Sequence, residues 1–204
     1  MSNNALTDRQ IQEAISFHGH SCPGLAYGLR VAEYALREFG HSGDEEIVAI
    51  TETDMCAVDA IQSLVGCSFG KGNLLYHDTG KVAFTFYRRS DGKSRRVVRK
   101  PERTTAAGEE NKTLMRKKAD QGLTEAEAKR LAILREMRMK EIMTADFEDL
   151  FSVKESTLTL PRRARIVDTL VCERCGEPVM ETRTRRSGGA VLCIPCFEAE
   201  DRRA

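Results

Sequence analysis

Two cysteine pairs, CERCG at 172–176 and CIPC at 193–196, constrain this chain more than any other feature. Each CxxC turn can bring two thiolates to one ion, and four thiolates fill a tetrahedral Zn²⁺ and leave it no open position. Cys172, Cys175, Cys193 and Cys196 therefore predict one structural zinc per chain. Gly176 permits the tight turn after the first pair, Gly188-Gly189 turns a hairpin between the pairs, and Cys196 begins a polar helix, FEAEDRRA. So few apolar residues lie here that metal binding must supply much of the folding free energy. A redox CxxC is the alternative, and two pairs at this spacing favour zinc.

The 204 residues suffice for one medium domain plus such an appendage. Domains are expected at 1–167 and 168–204. Lys and Arg number 32 against 31 Asp and Glu, a net charge of +1, so a nucleic-acid or membrane partner would need a local patch. Arg183, Arg185 and Arg186, with Arg162, Arg163 and Arg165 before them, are such a run, but Glu173, Glu177 and Glu181 are interspersed and favour a solvated face. No apolar run approaches the roughly 20 residues that span a bilayer. The start, MSNNALTDRQ, has no secretory pattern, so a cytoplasmic location is expected. An odd seven cysteines then argue for metal or reactive thiols over disulfides.

Thr7 or Asp8 caps a first helix reaching Phe17, and Ser21 caps a second with Pro23 in its first turn. Residues 46–53 read as a strand, Asp54 caps a helix through Val65, and 82–88 and 94–99 read as strands joined at Asp91-Gly92. The result is an α+β core. Residues 101–122 read as charged and loop-like. Thr124 and Glu127 form a capping box for a long helix over 124–151. Its broad apolar side, with Leu131, Leu134, Met137, Ile142 and Met143, needs a partner: the core, or a second copy of the chain in a homodimer.

The core carries its own candidate chemistry. In FHGHSCPG an extended backbone would turn His18, His20 and Cys22 to one side. Cys22 and Cys56 fall at helix starts, where the dipole lowers a thiol pKa. Asp59 lies one turn beyond Cys56, Cys67 follows that helix, and Lys71 sits in the loop FGKGN, which lacks phosphate-loop spacing. Taken singly, each has a bland reading, a buried thiol or a hydrogen-bonded imidazole. Together they suit a second transition metal, Zn²⁺, Ni²⁺ or Fe²⁺, or a thiolate activated by a histidine. His41 and His77 read as surface or structural.

FHGHSCPGLAYGLR, TDMCAVDAIQSLVGCSFGKGNL and DTGKVAFTF resemble the FmdE family, named for a component of formylmethanofuran dehydrogenase. The finger is similar to the treble-clef DksA/TraR type. The resemblance implies an α+β core in intertwined dimers, and an association with the molybdenum or tungsten enzyme of methanogenesis. It implies no established reaction. The matching positions are His18, His20, Cys22, Cys56, Asp59, Cys67 and Lys71. The competing expectation is a regulator whose core senses a metal or small ligand and whose finger contacts protein or nucleic acid.

Overall fold

The computed structural model describes residues 6–102 and 104–200. The chain divides into two units, 1–163 and 164–204, a boundary slightly earlier than the expected 167/168.

In the first unit, Thr7 and Gln10 close a capping box on α1 (Asp8–His18), and Gly19 ends that helix at φ 88°. Helix α2 (Pro23–Phe39) follows almost at once. Its cap is Cys22, not the expected Ser21: the Leu25 amide donates to Cys22 Sγ at 3.3 Å. Ser21 instead donates to Met139 Sδ at 3.1 Å. Leu25, Leu29, Ala32, Ala35 and Phe39 form the buried face of α2.

Five strands make the sheet, in the order β2 (Leu74–Tyr76), β1 (Ile47–Thr51), β3 (Ala83–Arg88), β4 (Ser94–Arg99), β5 (Phe151–Lys154). The β1–β2 pair is parallel and the rest antiparallel. The parallel crossover is α3 (Ala57–Ala60), continued by a π-wound turn Ile61–Val65 that Gly66 closes at φ 78°. The side chains of β1 are buried throughout and alternate between two clusters. Ile47 and Ala49 join the main core beneath α2, while Val48 and Ile50 join Tyr87 under Leu158 and Leu160.

Two polar ties fix the sheet. The buried Asn73 amide donates to Asp44 O at 2.8 Å, Ile47 O at 3.0 Å and Ser42 Oγ at 3.2 Å, and its Oδ1 accepts from the Ser68 amide. Buried Glu52 accepts two bonds from Arg96 and one from Thr79, and the Arg96 guanidinium holds its carboxyl below the usual range.

Two expectations are corrected. Residues 106–120 are helical: α4 (Ala106–Asp120), capped by Thr105, packs along α5 (Glu125–Thr144). It has no apolar stripe to advertise it, and ion pairs Arg130–Glu110 and Lys117–Glu127 join the two helices instead. The expected helix over 124–151 stops at Thr144, because Ala145 is extended and Arg30 takes the carbonyls of Met143 and Ala145. A short turn, α6 (Phe147–Leu150), then leads into β5. Of the apolar side of α5, Leu131, Leu134 and Ile142 are buried, and Ile133 and Met137 are about half exposed.

The second unit pairs β6 (Thr169–Val171) with β7 (Pro178–Met180) and β8 (Thr184–Ser187) with β9 (Ala190–Cys193), and ends in α7 (Ile194–Glu200). Gly188 and Gly189, both at positive φ, turn the second hairpin as expected. The continuation of the last helix over 201–204 lies outside the described residues. Among the described residues no helix is long and apolar enough to cross a membrane.

Asn73→Ala removes a donor to buried acceptors and orphans them, at an expected cost of about 2–3 kcal/mol. Thermal unfolding should fall by roughly 5–10 °C; an unchanged midpoint would mean the loop has another anchor.

Candidate metal centre

The first centre is the finger. The sulfurs of Cys172, Cys175, Cys193 and Cys196 lie within 4.8 Å of one another. Cys172 and Cys175 sit on the turn after β6, closed by the Gly176 amide on Cys172 O at 2.8 Å. Cys193 ends β9 and Cys196 lies in α7. Amides aimed at the Cys172 sulfur, from Cys175 first and then Cys193, bring its thiol down to about 6. Such donors stabilise thiolate before any ion arrives. The neighbouring cysteines, Cys193 first, push Cys196 up to about 12, as expected of crowded sulfurs that share negative charge. A divalent ion removes that repulsion, and binding releases protons. Arg183, Arg185 and Arg186 are exposed along the turn before β8 and on β8 itself.

The second centre lies where α1, α2 and α3 meet. The ligand atoms of His18, His20 and Cys22 fall within 4.8 Å of one another. Neighbouring ligands on a tetrahedral zinc stand about 3.3–3.8 Å apart, from bond lengths near 2.0–2.3 Å. His18 Nε2 is 3.7 Å from Cys22 Sγ. The His18 and His20 rings stand with centroids 4.5 Å apart. The backbone that does this is not an extended strand: His18 is the last residue of α1, left-handed Gly19 reverses the chain, and Cys22 caps α2.

His18 Nδ1 donates to Asp59 Oδ2 at 2.7 Å, which leaves the Nε2 lone pair facing the cluster. Asp59 is itself held, since Gln62 Nε2 donates to its Oδ1 at 3.3 Å. A carboxylate behind an imidazole is the usual support of a metal-ligating histidine.

Cys56 stands at the N-terminal boundary of α3, beside Cys22. Its thiol is pushed up, first by burial and then by the Cys22 thiol against it. Two glycines of α2 allow this approach. A Cβ on Gly28 would lie 2.5 Å from Ala57 O and 2.6 Å from Ala57 Cα, and one on Gly24 would lie 3.0 Å from Cys56 Cβ. Neither glycine stood out in the sequence. The available signal is the small-xxx-small spacing in GLAYGL, which marks close packing of two helices.

The structure thus brings together His18, His20, Cys22, Cys56 and Asp59. It leaves out Cys67 and Lys71. Cys67 is buried under β1, where its thiol donates to Ile47 O, and burial pushes it up to about 12. The Lys71 ammonium donates to the carbonyls of Ser42 and Gly43. Both hold the loop before β2, and neither reaches the cluster.

A cleft of about 540 Å³ opens beside this centre, with His18, Cys56 and Asp59 in its wall. It lies at the carboxyl ends of the parallel strands, where Thr51 ends β1 and Tyr76 ends β2.

The comparisons agree with this architecture. The family described as FmdE, molybdenum formylmethanofuran dehydrogenase operon, matches residues 17–152. The chain belongs to the FmdE family. The prokaryotic dksA/traR C4-type zinc finger matches residues 165–202. A crystal structure of a tungsten formylmethanofuran dehydrogenase FmdE-like protein from Syntrophus aciditrophicus is similar with a TM-score of 0.62 and 23% identity, over 95% of this chain and 93% of that one. That likeness shows the α+β fold. A probable S-adenosyl-L-methionine-binding protein of Archaeoglobus fulgidus is 35% identical over 203 residues, covering 92% of this chain and 52% of that protein. The chain spans about half the length of that relative. The FmdE-like core and its C4 zinc-finger cluster make this a metal-binding protein.

With metal stripped by a chelator, iodoacetamide at pH 8 should leave Cys67 unmodified, because a thiol held near 12 stays protonated there. The half-buried Cys56 should react, faster as pH rises toward its raised pKa and the thiolate fraction grows. Peptide mass mapping reads both; labelling of Cys67 as fast as Cys56 would contradict the placement.

Proposed function

We propose that the FmdE core of this chain is a metal centre for chemistry or sensing. His18 Nε2, His20, Cys22 and Cys56 hold one transition ion, and the finger holds a separate structural zinc. The observation that carries this reading is the His18–Asp59 bond, which orients a ring nitrogen toward two other ligand atoms. An N₂S₂ donor set suits Zn²⁺, and also Ni²⁺ or Fe²⁺. When bound, the ion would supply a Lewis acid at the cleft wall, and Cys56, the ligand in that wall, is the one whose place a cleft molecule would take. The chain's own part is to hold the ligands rigid: Asp59 fixes the His18 tautomer, and the Cys22 cap fixes a thiol to the first turn of α2.

The accessory role beside molybdenum or tungsten formylmethanofuran dehydrogenase, and with it methanogenesis, rests on the family description alone. A homodimer joined through α5 is supported by its exposed Ile133 and Met137. A cytoplasmic location is supported by seven cysteines that form no disulfide.

Metal analysis of freshly purified protein should find two ions per chain. Cys56→Ala or His20→Ala should each lose one, and Asp59→Asn should weaken binding at the core by roughly 10–100-fold. A single ion that survives Cys56→Ala and disappears with Cys175→Ser would overturn the core centre.

A further inference from the structure

The cleft beside the core centre has a chemistry of its own. Its volume, about 540 Å³, is that of a site for a small organic molecule. It stands at the carboxyl ends of a parallel strand pair, just before the crossover helix, a place where α/β units commonly take ligands. Large apolar side chains stand unusually exposed in its wall: Phe69 is 84% exposed, Met55 55% and Tyr76 51%. Side chains of that kind, gathered around one concavity, mark a binding surface.

The charge of the wall is one-sided. Asp54 and Asp59 both line the cleft, and no Lys or Arg does. Asp59 is engaged with His18, while Asp54 is exposed and makes no ion pair among the described residues. Asp78 and Asp54 both push the Tyr76 phenol up, which places negative charge near that ring at the cleft mouth. The nearby Lys71 is spent on the Ser42 and Gly43 carbonyls. A divalent ion in the core centre does not reverse this sign, because the Cys22 and Cys56 thiolates balance its charge.

We infer that this cleft binds a small organic cation with a flat apolar body, and turns away oxyanions and carboxylates. The cation would lie over the Phe69 or Tyr76 face with Asp54 as its counter-charge. The flat body would lie on Met55 and Leu74. The inference rests on the metal-centre reading, and deepens it by naming the class of molecule that reaches the ion.

The test uses full-length, zinc-loaded protein and two probes of similar shape. Benzyltrimethylammonium has no lone pair to offer a metal, and 3-phenylpropionate is its anionic counterpart. Calorimetry or ligand-observed NMR should show the cation binding at least about 10-fold tighter than the anion. Asp54→Asn and Phe69→Ala, both at exposed positions, should each weaken the cation about 5–10-fold while leaving the zinc count and the unfolding midpoint unchanged. Equal or tighter binding of 3-phenylpropionate, or cation binding indifferent to both substitutions, overturns the inference. Zinc counted on the same samples separates the two readings. Two ions without cation preference overturn the cleft's ligand class alone. One ion with the preference intact overturns the core metal and upholds the ligand class.

Discussion

Everything at the core centre depends on how closely α2 approaches the start of α3. Gly28 lets the Ala57 backbone lie where a side chain would otherwise stand, and Gly24 does the same for the Cys56 side chain. That contact sets Cys22, the cap of one helix, beside Cys56 at the boundary of the next. Packed interiors do not deform smoothly, so the two thiols are held by the same packing that holds the core. The α1 turn at Gly19 then delivers the imidazoles to the same spot, and α3 supplies Asp59 to orient one of them. Three short backbone segments are made into one site by helix packing.

The zinc finger and the proposed core centre differ in what builds them. The finger is local: a turn, a hairpin and the first turns of a helix bring four sulfurs together within a short stretch. Its small apolar cluster, centred on Leu192 with Cys172 and Cys193, is too slight to order it without the ion. The core centre is non-local, and its scaffold is ordered by a large apolar core beneath the sheet. Four thiolates close the finger and leave its ion no open position. The function proposed for this chain therefore lies in the core, where Cys56 lines an open cleft.

This contrast also explains what could be read from the sequence. Paired CxxC spacing and Gly188-Gly189 made the finger legible, because the information is contained in neighbouring residues. Strands β1, β3 and β4 were legible from their apolar, β-branched runs, and α1 and α5 from their caps. Helix α4 was not, because charge pairs to α5 hold it and none of its residues is fully buried. Strand β5 was hidden because the α5 pattern runs on past the point where Arg30 ends that helix. At the core site the residue types were legible and the geometry was not. His18, His20 and Cys22 were expected from an extended loop and converge through a helix end, a reversal and a cap. Cys67 and Lys71 looked equally chemical, and burial and two carbonyls assign them to the fold.

In the proposed centre the core holds its ion through two imidazoles and two thiolates. X-ray absorption at the metal edge, on a Cys175→Ser variant whose finger cannot hold its zinc, isolates that centre. A mixed shell of two nitrogens and two sulfurs is expected, at about 2.0–2.1 and 2.3 Å for zinc. An all-oxygen shell, or no bound metal at all in that variant, would contradict it.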